Sequence, residues 1–416
     1  MSVATAAVSA KFGVSRTVPS EPPHYIGAPL SHPPTAAYLH IPFCRRRCFY
    51  CDFPITVVGD RRRGRDSGTI REYLQALIGE IQQQPVLGPA LTTVFFGGGT
   101  PSLLEGDQIR ELLEALAARF GLASNAEISI EMDPATFDQT QARDYLRAGI
   151  TRISLGSQAF QDRLLEACGR THRVVDIHAA VADLRAAGCT NLSLDLISGL
   201  PGQTLADWEE SLTAAIALAP EHISAYDLVL EPGTVFGKRY EPGEGPLPTD
   251  DLTAQMYRTA STRLRAAGFE HYEISNYARP GFQCRHNRIY WENRPFYGFG
   301  MGAASYLQGL RFSRPRTRAH YYQWLAAGCP LPEASETALD RAQETLMLGL
   351  RLAEGLDLHR LGPFAAPLAL VLVPYEAAGQ VVRNGDRLRL SDPEGFLISN
   401  RILADSFAAM EEAVQP

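Results

Sequence analysis

Apolar runs of strand length alternate with amphipathic helical stripes from Ala36 onward. The strand candidates are residues 36–41, 92–96, 126–131, 152–155, 191–196 and 222–229. A strand followed by a helix, repeated along the chain, is typical of βα units that build a parallel sheet. Six such units predict an α/β fold with the architecture of an incomplete (βα)6 barrel.

Two helices between these strands have the clearest periodicity. The first carries apolar residues on one face at positions 70, 73, 74, 77, 78 and 81, and the second at positions 109, 112, 113, 116 and 120. Both sets follow the three- and four-residue spacing of an amphipathic helix. Thr69 and Glu72 predict a capping box at the start of the first helix.

The alternation of strands and helices changes after about residue 305. Residues 335–356 and 394–412 predict helices, and the turn at 384–386 predicts a hairpin within 381–390. Helices around a small hairpin predict an α+β, winged-helix-like module. We therefore expect a Pro-rich leader over 1–34, a barrel over 35–275 and a carboxyl-terminal domain over 276–416.

Composition narrows the classes of function. A net charge of −7 over 416 residues gives no basic surface for nucleic acid, and the arginine runs at 45–47 and 61–65 are short enough to be solvated loops. The winged-helix-like module therefore does not imply DNA binding. No apolar run reaches the eighteen residues that a membrane span needs, so we expect none.

The first 34 residues contain six prolines and little apolar periodicity, which predicts a disordered leader. Its acid-poor start leaves a transit peptide open as an alternative, although arginine density and clear amphipathicity are missing. We take the cytoplasm as the expected location.

Three of the seven cysteines, Cys44, Cys48 and Cys51, are clustered, and the other four are scattered. This distribution favours a reducing compartment over a disulfide framework. Three thiolates are one fewer than an iron–sulfur cluster usually takes, so one iron would stay open to a small molecule. The alternative is a structural zinc site that His40 completes, although zinc ligands usually come in two separated pairs.

The spacing of these cysteines, with Tyr50 directly before Cys51, resembles the CxxxCxxC signature of radical S-adenosylmethionine (SAM) proteins. The resemblance implies a [4Fe–4S] cluster whose unique iron is chelated by the amino and carboxylate groups of SAM. It also implies an electron donor for the cluster, whose reduction would cleave SAM to a 5′-deoxyadenosyl radical. The cofactor would supply this chemistry and the protein would orient it.

Polar or glycine residues follow most of the strand candidates, where a barrel collects its active site. They are the segment 97–101 (Gly-Gly-Gly-Thr-Pro), Glu131, Gln158, Arg170 and Asp195. Glycines let backbone approach a ligand closely, a carboxylate accepts from a ribose or an ammonium, and an arginine suits the SAM carboxylate. Any one of them alone could merely finish a buried strand.

Together these segments resemble the coproporphyrinogen-dehydrogenase-like branch of the radical SAM family, over residues 36 to about 400. The resemblance implies that the SAM contacts are Tyr38, Tyr50, Gly98, Gly99, Thr100, Glu131, Gln158, Arg170 and Asp195. One departure is Phe53, two residues after Cys51, where the decarboxylating dehydrogenase has a further cysteine.

The segment Cys284-Arg-His-Asn-Arg-Ile-Tyr-Trp291 resembles the HNxxYW motif of the heme-chaperone members of this branch. The resemblance implies a heme site made of His286, Asn287, Tyr290 and Trp291, since imidazole is a common axial ligand and aromatic rings can pack on a porphyrin. The alternative is a structural histidine and an aromatic core anchor. Cys284 is a further candidate ligand, and the glycine run at 298–302 is a weak turn signal.

These observations predict a heme chaperone that binds heme, one [4Fe–4S] cluster and SAM, and delivers heme to an acceptor protein. The enzyme alternative is oxygen-independent oxidation of coproporphyrinogen III, or another radical reaction on a tetrapyrrole, and the absence of a cysteine at Phe53 counts against the first of these. A third class, a zinc-stabilised adaptor, would require that iron be absent.

Overall fold

A computed structural model of the chain describes residues 32–59, 64–331 and 337–413. The leader predicted over 1–34 therefore lies outside the described residues, except for its last three. The strands are β1 Ala36–Ile41, β2 Phe43–Cys44, β3 Thr56–Val57, β4 Leu91–Gly98, β5 Leu122–Met132, β6 Arg152–Gln158, β7 Leu192–Ser198, β8 His222–Asp227, β9 Glu270–Glu273, β10 Asn276–Ala278, β11 Tyr297–Phe299, β12 Ala304–Leu307, β13 Leu310–Ser313, β14 Leu356–Asp357, β15 Val381–Asn384 and β16 Arg387–Leu390.

The α-helices are α1 Gly68–Gln83, α2 Gly106–Phe120, α3 Gln139–Ala148, α4 Asp162–Ala167, α5 Val174–Ala187, α6 Leu205–Ala217, α7 Val235–Arg239, α8 Asp250–Ala266, α9 Arg285–Trp291, α10 Arg318–Ala326, α11 Ala338–Gly349, α12 Leu368–Val371, α13 Val373–Ala377, α14 Glu394–Leu397 and α15 Ser399–Glu412. Two 3₁₀ segments lie at Pro101–Leu103 and Leu358–Ala365. Within the described residues, no helix is long and apolar enough to cross a membrane.

The chain divides into two compact units, whose described residues fall within 1–156, 175–190 and 294–334 for the first and 157–174, 191–293 and 335–416 for the second. In the first unit, neighbouring strands follow the order β11, β1, β4, β5, β6, and every pair in this series is parallel. In the second unit β7 pairs parallel with β8, and β10 joins β8 and β9 in antiparallel register. The two units do not correspond to the predicted domains, so the predicted boundary between residues 275 and 276 stays a prediction.

The predicted alternation of strands and helices is confirmed. All six predicted strands are present, and the first has the predicted bounds Ala36–Ile41. Four others extend further than predicted at their carboxyl ends, so that Asp195 lies in the middle of β7 and not at its end. The reason is that these strands are buried on both faces, so a polar residue does not mark their end.

The first helix begins earlier than predicted. Its N-cap is Ser67, whose hydroxyl accepts a hydrogen bond from the backbone N–H of Ile70 at 3.3 Å. The capping box expected from Thr69 and Glu72 is therefore wrong, because a serine two residues upstream already satisfies the exposed N–H groups of the first turn. The predicted apolar face of the second helix is confirmed, since all five of its residues are buried.

Residues 337–413 form a small α+β module. The predicted hairpin is confirmed: β15 and β16 pair antiparallel from Val381↔Leu390 to Asn384↔Arg387. β14 adds to β16 as a third strand. Helices α11 and α15 pack against this sheet through a core that contains Leu346, Leu388 and Ile402. Helices around a hairpin are the arrangement expected from the sequence, whereas the third strand was not predicted, and the helix expected over 335–356 ends at Gly349.

Candidate functional site

The three clustered cysteines lie on one loop that follows β1. Cys44 ends the short strand β2, which pairs parallel with β3 on the far side of the loop. Cys44 is 9% exposed, whereas Cys48 and Cys51 are partly exposed. Burial raises the pKa of the Cys51 thiol above its usual value. Partly exposed sulfurs on a closed loop are what a cluster ligand set that also meets a small molecule requires.

Two arginines hold the backbone of this cysteine loop (residues 44–53). Arg47 Nη1 donates to the carbonyl oxygens of Cys51 and Phe53, both at 3.1 Å. Arg316 Nη2 donates to the carbonyl oxygen of Asp52 at 2.7 Å. Arg47 is exposed, as expected for a solvated loop, but its head group also closes the loop, a role that composition cannot reveal.

His40 connects β1 to the end of the cysteine loop. Its Nε2 lies 2.9 Å from the carbonyl oxygen of Pro54, and its Nδ1 lies 3.1 Å from the hydroxyl of Tyr38. A carbonyl only accepts, so Nε2 carries the proton and Nδ1 accepts from Tyr38. Burial lowers the pKa of His40 to about 4, although the bond to Pro54 opposes this.

These contacts weaken the zinc alternative. Both ring nitrogens of His40 are engaged within the protein, so neither is presented to a metal ion as a fourth ligand. Across residues 32–59, 64–331 and 337–413, no group of three or more His, Cys, Asp or Glu side chains is arranged to hold a single metal ion.

The glycine-rich segment after β4 lies against the cysteine loop. The N–H of Gly99 donates to the carbonyl of Ile41 at 2.9 Å, and the N–H of Thr100 donates to that of Phe43 at 2.7 Å. The Thr100 hydroxyl donates to the sulfur of Cys44 at 3.5 Å. Because these N–H groups are used within the protein, the segment can offer a ligand acceptors, which suit the ammonium group of an amino acid.

Gly98 combines close packing with a positive φ, whereas Gly99 is excluded from carrying a Cβ by packing alone, since that atom would lie 2.7 Å from the carbonyl oxygen of Phe43. The φ of Gly98 is +112°, and a Cβ atom there would lie 2.5 Å from the His40 ring. Its N–H donates to Oε2 of Glu131 at 2.9 Å, which fixes that carboxylate at the end of β5. The predicted residues Gly98 and Glu131 are thus in direct contact.

The predicted SAM residues share an unusual exposure. Tyr38 is the one residue of β1 that is not buried, and Asp195 is the one residue of β7 that is not buried. Glu131 interrupts the buried carboxyl half of β5, and Gln158 is partly exposed at the end of β6. Arg170 is also partly exposed. A polar side chain that reaches solvent from a buried strand is available to a ligand.

Gln158, Arg170 and Asp195 belong to the second unit. The backbone of Gln158 has φ +65°, the left-handed region that a residue with a side chain adopts only at a cost. Ser193 Oγ lies 3.4 Å from Oδ1 of Asp195 and donates to it. In the first unit Tyr38, Tyr50, Thr100 and Glu131 lie on the elements that carry the cysteine loop and the glycine segment.

The HNxxYW motif forms helix α9 and is mostly engaged with protein. His286 is fully buried, and its Nε2 lies 2.8 Å from the hydroxyl of Tyr290. The guanidinium of Arg351 lies 4.3 Å from the ring centroid of Trp291, and Asn287 is partly exposed. His286 in this conformation does not present a ring nitrogen to a porphyrin, so the residues as arranged do not fit an axial heme ligand.

Arg288, inside the same motif, joins α9 to the carboxyl-terminal module. It forms ion pairs with Glu292, at 3.0 Å, and with Glu354, and it also donates to Gln283 at 2.9 Å. The sequence analysis did not single out Arg288. The sequence feature that could have revealed it is its position, since Arg288 is a basic residue inside the HNxxYW motif.

A buried ion pair, which the sequence analysis missed, holds the segment 300–302, and this segment lies against His40 and Pro54 at the two ends of the cysteine loop. Glu80 accepts from Arg314 Nε at 2.8 Å, from the N–H of Gly300 at 2.8 Å and from the hydroxyl of Tyr321 at 2.7 Å. The side chains of Glu80 and Arg314 are 1% and 0% exposed. A glutamate on the apolar face of α1 is the signal that could have revealed it.

Comparisons with known proteins decide the family. The Radical SAM superfamily matches residues 38–215, and the HemN C-terminal domain matches residues 337–397. A Synechocystis protein named heme chaperone HemW is 50% identical over 91% of this chain and 98% of its own length. The chain belongs to the HemW family of radical SAM proteins. Proteins of the same name from Bacillus subtilis and Escherichia coli are 37% and 38% identical, over 85% and 70% of their lengths.

A solved structure supports the fold. Escherichia coli coproporphyrinogen III oxidase, HemN, described as a radical SAM enzyme, aligns over 93% of this chain and 92% of its own with a TM-score of 0.75 at 21% identity. The fold is therefore the incomplete radical SAM barrel with an added carboxyl-terminal domain, as the sequence predicts. Membership of the radical SAM family implies a [4Fe–4S] cluster and SAM, and the cysteine loop and glycine segment are arranged to fit them.

Proposed function

We propose that this protein is a heme chaperone that carries one [4Fe–4S] cluster and SAM, binds heme and delivers it to acceptor proteins. The observation that carries the proposal is 50% identity to a protein named heme chaperone HemW, over 98% of that protein's length. The chain's lack of a cysteine at Phe53 supports the same choice over the oxidase.

In this proposal Cys44, Cys48 and Cys51 hold the cluster. SAM would be held by the residues that the family resemblance implies, which are Tyr38, Tyr50, Gly98, Gly99, Thr100, Glu131, Gln158, Arg170 and Asp195. The exposure of single polar side chains on otherwise buried strands supports these assignments. An electron donor would serve the cluster. The seven cysteines form no disulfide with one another, which supports a cytoplasmic location, and the net charge of −7 supports the absence of a nucleic-acid partner.

The assignment of His286 as the heme ligand requires a change of conformation. Its ring is buried and its Nε2 is engaged by Tyr290. Ligation would therefore need α9 to open and that hydrogen bond to break. If heme binds only to a minor conformation, the apparent affinity is lowered in proportion to the fraction of molecules in that conformation.

The function is tested with protein reconstituted anaerobically. We expect heme to bind with a defined absorbance change, and to move to an apo-hemoprotein at a rate that rises with acceptor concentration. Passive release would instead give a rate independent of the acceptor. The same protein, given SAM and a reductant, should leave coproporphyrinogen III unconverted. Conversion without specific heme binding would refute the chaperone and support an enzyme of tetrapyrrole synthesis.

Two variants of α9 test the ligand with opposite expected signs. His286→Ala should weaken heme binding about tenfold or more if His286 is the ligand. Tyr290→Phe keeps the ring but removes the hydroxyl that holds Nε2, so it should tighten binding about fivefold, the value of one hydrogen bond. If both variants bind heme like the wild type, the ligand lies elsewhere, although the chaperone function could still stand.

A further inference from the structure

We propose that a buried hydrogen-bond chain couples the SAM-binding carboxylate Asp195 to the amino end of the HNxxYW helix α9, so that SAM occupancy changes the order of that helix. Ser193, His222 and Tyr272 are positioning residues of this chain. The proposal deepens the proposed function and rests on it, because it takes Asp195 as a SAM contact and α9 as the heme motif.

The chain consists of four contacts within the second unit. Ser193 Oγ lies 3.4 Å from Oδ1 of Asp195 and 2.8 Å from Nδ1 of His222. Nε2 of His222 lies 2.9 Å from the hydroxyl of Tyr272, and the backbone N–H of Cys284 donates to that hydroxyl at 3.3 Å. Cys284 is the N-cap residue of α9. The contacts therefore run without a gap from Asp195 to the first turn of the motif.

The two ends of the chain fix its direction. A carboxylate only accepts, so Ser193 donates to Asp195 and its oxygen accepts from Nδ1–H of His222. Nε2 of His222 then carries no proton and accepts from the Tyr272 hydroxyl, whose oxygen accepts from the N–H of Cys284, a group that only donates. This assignment satisfies all four contacts at once. SAM bound to Asp195 would hold this partly exposed carboxylate in position to accept from Ser193, and because hydrogen bonds in a chain polarise one another, each later bond would be strengthened.

Burial and strand register hold the chain in place. Ser193, His222 and Cys284 are fully buried, and Tyr272 is 2% exposed. Ser193 and His222 lie directly opposite each other in the pairing of β7 with β8. Only Asp195 is partly exposed. Hydrogen bonds in such a dry interior polarise one another and are costly to leave unmade, so a change at the exposed end is felt along the chain.

The coupling is measured by amide hydrogen exchange on the full chain with its cluster reconstituted. SAM should slow exchange in the segment 284–291 of the wild type by about fivefold or more, a typical size for coupling between sites. In Tyr272→Phe, which loses one hydroxyl, SAM should still bind but change exchange there by less than twofold. Ser193→Ala interrupts the other end of the chain and should do the same, which keeps the test open if one variant fails to fold.

Tyr257→Phe is the matched control. Tyr257 also donates from a largely buried hydroxyl, to the carbonyl of Ile274 at 2.8 Å, but lies outside the chain. It should keep the SAM response of the wild type. The SAM dissociation constant adds a second readout: the double variant Ser193→Ala with Tyr272→Phe should lose no more affinity than the worse single variant, because both interrupt one chain.

The outcomes separate this proposal from the proposed function. A wild type that binds SAM without any change over 284–291 overturns the coupling, as does a Tyr272→Phe protein that keeps the full response. A wild type that never binds heme overturns the chaperone function, yet the exchange experiment still decides the chain. A reconstituted wild type that binds no SAM overturns both.

Discussion

The cysteine loop and the HNxxYW helix satisfy their polar groups in opposite ways. In the cysteine loop the backbone is fixed, by Arg47 and Arg316, while two of the three thiols stay partly exposed. In α9 the side chains themselves are engaged: His286 with Tyr290, and Arg288 with acidic residues. In the loop the carbonyl groups are bonded and the thiols remain available to a ligand. In the helix the polar side chains are already bonded within the protein.

This difference separates two kinds of motif. The cysteine loop is preorganised for a ligand, since cofactor sites work best when their supports are rigid and independent of the ligating atoms. The α9 motif, in the described conformation, is a junction to the carboxyl-terminal module, through the ion pair of Arg288 with Glu354 and the contact of Arg351 with Trp291. A role of this motif in ligand binding requires a second conformation of α9. The hydrogen-bond chain from Asp195 to Cys284 would connect SAM binding to that change.

The largest expected effect is at a ligand. Cys48→Ala should abolish the [4Fe–4S] cluster, measured as iron and sulfide content and as absorbance after anaerobic reconstitution, because a cluster needs every thiolate of a three-cysteine set. The free energy of unfolding of the cluster-free protein should hardly change, since this side chain is partly exposed. Cys329→Ala, at another partly exposed cysteine, is the control and should keep the cluster. A Cys48→Ala protein with full iron would contradict the loop assignment.

The next effect is at the buried support of the cysteine loop. Arg314→Met should lower the free energy of unfolding by about 3–5 kcal/mol, because it leaves the buried carboxylate of Glu80 without its cation. Arg311→Met is the control on the same segment: Arg311 lies 4.6 Å over the Tyr306 ring, a contact worth about 0.5–1 kcal/mol. Denaturant unfolding measures both. Equal losses in the two variants would refute the support role of the pair.

A smaller effect separates backbone strain from close packing in the glycine segment. Gly98→Ala and Gly188→Ala both place a side chain at positive φ, +112° and +104°. Only at Gly98 would the new Cβ meet another group, the His40 ring at 2.5 Å, whereas nothing lies within 4 Å at Gly188. We expect a loss of about 1 kcal/mol for Gly188→Ala and about 2–4 kcal/mol for Gly98→Ala, with weaker SAM binding. Equal losses would mean that the His40 ring moves aside without lowering the free energy of unfolding.

Sequence patterns predicted the framework well, because strand burial and helix periodicity are local properties. The strand Ala36–Ile41, the apolar face of α2 and the hairpin Val381–Leu390 followed directly from alternation and turn residues. The helix start at Ser67 was missed because two competing capping residues lie two positions apart. Element ends depend on which of several local bonds wins, which a pattern does not decide.

The site was predictable only in part. The cysteine spacing and the glycine segment carry their own signatures, so both were singled out, but the contact of Thr100 with Cys44 was not predicted. The pair of Glu80 with Arg314 joins residues 234 positions apart, and no pattern links them. The engagement of His286 by Tyr290 was equally hidden: the same i, i+4 spacing on a helix serves a ligand pair or an internal hydrogen bond.

The smallest expected effect is a pH dependence at another contact of the carboxyl-terminal module, the one that Asp392 makes with α8 and β9. Asp392 accepts from the Ser261 hydroxyl at 2.9 Å, its Oδ1 lies 2.9 Å from His271 Nδ1, and Arg265 lies 3.3 Å away. Burial by itself would raise the pKa of Asp392, but these partners outweigh it and hold the pKa below its usual value. A carboxyl with a lowered folded pKa stabilises the protein above its unfolded pKa, and this stabilisation is lost as pH falls through the folded value.

Asp392→Asn should therefore lower the free energy of unfolding by about 1–2 kcal/mol at pH 7, the value of a hydrogen bond to a charged group. The difference from the wild type should shrink as the pH is lowered below the ordinary aspartate range, because the wild-type carboxylate is then protonated as well. Urea unfolding at several pH values measures this, with the exposed pair of Arg110 and Glu114 as the control through Glu114→Gln. A difference that stays constant with pH would mean that Asp392 acts through its shape and hydrogen bonding and not through its charge, and the junction would then be held by packing.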